Sequence, residues 1–80
     1  MLAPAELPRT LAGLREEHHQ LSRRANELRQ WLYYESGEHM PTLAHGFRLQ
    51  LDSFEARLLR LSAAMERAER EEAELWTVVR

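Results

Sequence analysis

Two stretches of this chain carry residues at alternating steps of three and four. In the first, Leu7, Leu11, Leu14, His18, Leu21, Ala25, Leu28 and Leu32 follow one another in that rhythm. In the second, Met40, Ala44, Phe47, Leu51, Phe54, Leu58, Leu61, Met65, Ala68, Glu72, Leu75 and Val79 do the same. Such steps set residues along one face of an α-helix, in the register of a left-handed coiled coil. A strand needs a period of two, so the pattern excludes strands. Of the twenty positions only His18 and Glu72 are polar, which makes each stretch an apolar seam.

Helix punctuation divides the 80 residues in the same places. Pro4 and Pro8 mark the start, Ser36-Gly37 is a helix stop, and Pro41-Thr42 is a helix start. A single helical domain is therefore expected over residues 1–80. It comprises an N-terminal arm (1–7), a first helix (8–35), a loop (36–40) and a second helix (41–79). Two helices joined by so short a connection lie antiparallel. The fold class is thus all-α, an antiparallel two-helix hairpin with a coiled-coil-like heptad seam. Folding at Gly37-Glu38 sets Leu32 near Leu43, Leu28 near Phe47, Leu21 near Phe54, His18 near Leu58 and Leu14 near Leu61. At ~1.5 Å per residue the helices are about 40 and 58 Å long, so the second overshoots the first by several turns. Residues 1–6 could fold back over part of that overhang.

A second set of apolar residues lies off the seam: Leu43, Leu49, Leu59, Ala63, Trp76 and Val78, with Trp31, Tyr33 and Tyr34. A lone hairpin leaves many of these wet, and so small a chain buries only a modest fraction of its surface. Assembly into a helical bundle oligomer, a homodimer or larger, is expected to cover them. The C-terminal third of the second helix is the expected contact.

Composition narrows the function classes. Cysteine is absent, which removes disulfides, thiolate metal sites and cysteine nucleophiles. The N-terminus has no signal-peptide pattern and no run approaches a membrane span, so cytoplasmic residence and no membrane partner are expected. A net charge of −2 gives no surplus for general nucleic-acid binding. All 11 basic residues are arginine, a group suited to bidentate carboxylate or phosphate recognition, although a codon bias explains the choice more simply.

Candidate chemistry is sparse. Glu16 and His19 form the E-x-x-H pair by which ferritin-like bundles hold metals. The heptad register turns both away from the seam, and the second helix has no matching pair, so no metal site is expected. His18 reads as a polar seam residue that fixes register. No phosphate loop, nucleophile elbow or inward carboxylate pair occurs, so no catalytic residue, cofactor or enzyme activity is expected. Glu66–Arg70, Arg67–Glu71 and Arg70–Glu74 are spaced i,i+4 and read as helix support. The hairpin tip is richer: Trp31, Tyr33, Tyr34 and Phe47 gather there with Arg29, Arg48, His39 and His45. Aromatics beside arginines anchor protein partners or stack on bases. The expected partner-binding residues are Trp31, Tyr33, Tyr34, Arg48 and, on the overhang, Trp76.

Two resemblances bear on function. LREEHHQLSRRANELRQWL with EREEAELW resembles the opening and closing of hemerythrin-like domains, but Arg67 and Ala68 stand where that family expects a histidine. LPRTLAGLREEHHQLSRRANELRQWL with LQLDSFEARLLRL is similar in layout to small helical-hairpin accessory proteins of tailed phages and prophages, through leucine spacing and Gln50, Phe54 and Arg57. That likeness implies a mobile-element protein that binds a host protein or, as the anti-CBASS sponges do, sequesters a signalling nucleotide. The expected function is therefore non-enzymatic: a self-associating helical protein that binds a partner protein. A nucleotide-sequestering oligomer and a hairpin like the type III or flagellar export chaperones are the alternatives.

Overall fold

A computed structural model describes residues 6–34 and 40–79, with the side chains of 78 and 79 left aside. The chain is an all-α helical hairpin, with α1 at Leu11–Tyr34 packed against α2 at Pro41–Val79. The helix stop at Ser36-Gly37, the fold point at Gly37-Glu38 and His39 lie outside the described residues. Among the described residues, no helix is long and apolar enough to cross a membrane.

α1 begins three residues later than Pro8 predicts, and the reason is a cap. Thr10 accepts the Leu14 N–H on its carbonyl at 2.9 Å and the Gly13 N–H on Oγ1 at 3.0 Å. These are the two bonds of an N-cap residue, which satisfy donors that proline could not serve. α2 starts at Pro41 as expected. The Met40 carbonyl accepts the Ala44 N–H at 2.9 Å, so Pro41 occupies the first helical position, where its missing N–H costs nothing.

Ahead of the cap the chain turns back on itself. A Cβ added at Gly13 would lie 3.0 Å from Pro8 Cβ and 3.0 Å from Thr10 Oγ1, so glycine lets the arm pass close to the helix. Further along, the Glu6 carbonyl accepts a hydrogen bond from Arg57 Nη2 at 3.0 Å. Residues 6–8 therefore run back toward the hairpin tip. They do not run out over the overhang, the direction expected for residues 1–6; residues 1–5 are outside the described part.

The apolar rhythm becomes the interface between the helices. Every seam residue from Leu7 to Leu32 and from Ala44 to Ala68 is buried or half-buried, and Leu14, Ala25, Ala44 and Leu61 are wholly so. Met40, Glu72 and Leu75, which lie beyond the paired length, are exposed. The register departs from the expected one by about a turn. Phe47 packs against Trp31, and His18 meets Ser62 where Leu58 was the expected neighbour. A hydroxyl one turn further on gives the imidazole a polar partner that leucine cannot supply, and a Trp–Phe pair buries more surface near the turn.

Truncating the fully covered Leu61 to alanine should lower unfolding free energy by about 2–4 kcal/mol in chemical denaturation. The two helical glycines should respond oppositely. Nothing lies within 4 Å of a Cβ at Gly46, so Gly46→Ala should stabilise by roughly 0.5–1 kcal/mol. Gly13→Ala should forfeit that gain by displacing Pro8, and a larger stabilisation at 13 than at 46 would contradict the packed arm.

Candidate binding surfaces

The flanks of the seam carry the polar contacts between helices, and they sort by side. Glu17 and Arg57 each stand one residue before a seam position, and they meet as a fork. Arg57 Nε donates to Glu17 Oε2, and Nη2 donates to Oε1 at 3.1 Å. The same guanidinium holds the Glu6 carbonyl, so one side chain joins α2, α1 and the arm. Among the described residues the fork is the most covered ion pair, with 21% and 30% of the side chains exposed. The pKa of Arg57 is raised: the hydrogen bond to Glu17 contributes most, burial opposes it, and the charge of Glu17 adds to the rise. A cation whose pKa rises on folding stabilises at every pH below its ordinary range, and that stability is lost only as pH climbs through the raised value. The fork is thus intact across the neutral range.

The opposite flank carries Arg29–Glu55 at 2.8 Å and Arg15–Glu69 at 3.8 Å, each residue standing directly after a seam position. These pairs are about half exposed, so water and salt screen them and they guide register more than they stabilise. Heptad flanks of opposite charge could have revealed all three pairs in advance, because an antiparallel pair brings like flanks together.

At the hairpin tip the expected residues divide. Trp31 is half-buried, its ring edge-on to Phe47 with centroids 4.7 Å apart, and so belongs partly to the core. Tyr33 and Tyr34 also pair edge-on at 4.8 Å, but they remain 80% and 75% exposed. Beside them, Arg29 and Gln30 complete a shallow surface depression. Arg48 and His45 are exposed on α2. Trp76, also 67% exposed, does not join this group. It lies twenty-nine residues beyond Phe47 on the same helix, about 43 Å away.

Along the outside of α2, Leu49, Leu59 and Ala63 are exposed, with Leu59 at 74%. Leu59 borders a shallow groove with Arg29, Glu55, Leu58 and Ser62 that opens over the seam on one face of the hairpin. Leu43 is exposed as well, near the start of α2.

Glu16 and His19 are both exposed, and Glu16 accepts a hydrogen bond from the Gln20 amide at 2.8 Å. Among the described residues no group of three or more histidines and carboxylates is placed to hold a metal ion. Arg23 and Arg24 line an open depression with Gln20 and Glu27.

Glu17→Gln removes the charge from the fork while Arg57 keeps the Glu6 carbonyl, so it should cost about 1–2 kcal/mol in denaturant unfolding. Arg57→Ala should cost more, because it also frees the Glu6 carbonyl. It should make the arm around Pro8-Arg9 cleavable by trypsin well before the helices, an outcome that Glu17→Gln alone produces more weakly.

No family model, curated protein or solved structure matches this chain.

Proposed function

We propose that this chain is a non-enzymatic binding protein that associates with itself through its helices and grips a partner protein with the aromatics of the hairpin tip. The supporting observation is how much of the molecule stays open. The helices form one layer, with Cα extents of 61 × 29 × 14 Å, whereas a globular domain closes its core between two. The accessible surface is 6532 Å² for a mass of 9.4 kDa. A compact folded monomer of that mass exposes roughly 5,000 Å². The difference, about 1,500 Å², exceeds the ~800 Å² that each partner contributes to a standard protein interface. Leu49, Leu59, Leu75 and Trp76 contribute large apolar side chains to that surface.

The tip suits the second task. Tyr33 and Tyr34 present wide rings with few rotatable bonds, so little entropy is lost when a partner covers them. Arg48 stands exposed at the start of α2. The likeness in layout to phage hairpin proteins makes a host protein the preferred class of partner. A nucleotide ligand has less support, because Arg15, Arg29 and Arg57 are each engaged by a carboxylate of the other helix.

Light scattering at micromolar concentration should give at least twice the 9.4 kDa monomer mass. A monomer mass would sink the self-association. Replacing both Tyr33 and Tyr34 by alanine should abolish capture of the partner in pull-downs from the native host while leaving the mass unchanged. If cyclic dinucleotides instead raise the melting temperature by several degrees, ligand sequestration is the better description.

A further inference from the structure

The seam of α2 does not stop where α1 stops. The Thr10 cap ends α1, and Arg15–Glu69 is the described ion pair nearest that end. Ala68 is still half-buried, but Glu72, Leu75 and Trp76 are exposed. Leu75 lies about 9 Å beyond Glu69 and keeps the three/four rhythm, so it sits on a seam face that has lost its partner helix.

The described part of the arm does not reach it. Glu6 is held at Arg57, eighteen residues or about 27 Å from Leu75 along α2. The reach of the arginine side chain shortens this to roughly 21 Å. Glu6 has moreover already turned toward the tip.

We propose that a second copy of this chain fills the position, its own α2 end lying antiparallel across a two-fold axis near Leu75. The proposal rests on the self-association reading and names its contact. Each α2 end then takes the place that α1 would occupy had it been longer, with the same rhythm and the same antiparallel direction. The hairpin interface simply continues into the partner. The two molecules meet end to end, so neither α1 stands in the way.

Charge locates the axis. Centred at Glu72, the pairing would press the two Glu72 carboxylates together in the seam with the two Glu71 carboxylates beside them. Centred at Leu75, it sets leucine on leucine and separates the Glu72 pair by about 9 Å along the helix. Trp76 stands directly after a seam residue, on the flank of Arg15, Arg29, Glu55 and Glu69. Like flanks meet in an antiparallel pair, so the two Trp76 side chains line the same side of the contact close to its axis. Tryptophan beside the centre is the residue expected to carry most of the affinity.

The chain has no cysteine, so single replacements report the contact cleanly. A disulfide requires Cα atoms within ~7 Å, and across a two-fold axis only residues close to it meet themselves. Under mild oxidation Leu75→Cys should cross-link to a dimer at least about tenfold faster than Glu66→Cys or Leu59→Cys. Leu75→Glu should weaken the dimer at least about tenfold by light scattering, with helix content by circular dichroism unchanged. A dimer in which Leu59→Cys links as fast as Leu75→Cys, or in which Leu75→Cys links slowly, overturns the end-to-end contact and leaves self-association standing. A parent chain that stays monomeric overturns both.

Discussion

The burial of one continuous apolar seam between two helices of unequal length is the constraint on which the rest depends. Among the described residues the buried ones, Leu14, Ala25, Ala44 and Leu61, all belong to that seam. Helices of this kind gain most of their stability from packing an amphipathic face, not from propensity. Along α1 every seam residue is buried or half-buried. Along α2 the cover ends near Ala68, and the exposed Leu75 and Trp76 follow from that single difference in length.

Polar contacts at the edges then choose among the ways in which two such seams can be laid together. Apolar side chains at steps of three and four fit again after a slip of one turn, so the seam alone leaves the register open. The Arg57 fork, the His18–Ser62 contact and the two outer ion pairs close in one register, which lies about a turn from the one that the shortest fold-back suggests. The fork has a further effect: by holding the Glu6 carbonyl it commits residues 6–8 to the tip side, away from the exposed far end of α2.

A one-layer hairpin has two broad faces and an unfinished end, and its chemistry lies in surfaces, not in a cleft. The exposed tyrosines and the exposed end of α2 stand at opposite extremes of a long molecule. Self-association at one end is therefore compatible with partner capture at the other, and the proposed pair of molecules would hold two aromatic tips far apart.

Much of this was legible in the residues. Periodicity is a local property of a helix, so the two elements, the face each buries, the start of α2 at Pro41 and the wet positions of Tyr33, Tyr34, Leu59 and Trp76 could all be read from spacing. The start of α1 at Leu11 was less legible, since Pro8 and Thr10 both signal a beginning and only the hydroxyl of Thr10 makes the capping bond. The register that sets His18 against Ser62, the meeting of Arg57 with Glu17 and the direction of Glu6–Pro8 were decided in the tertiary structure. Each depends on which residues distant in the chain come to lie opposite one another. A repeating apolar pattern fits equally well at several offsets, and the choice falls to charged and polar groups that must find partners across the gap.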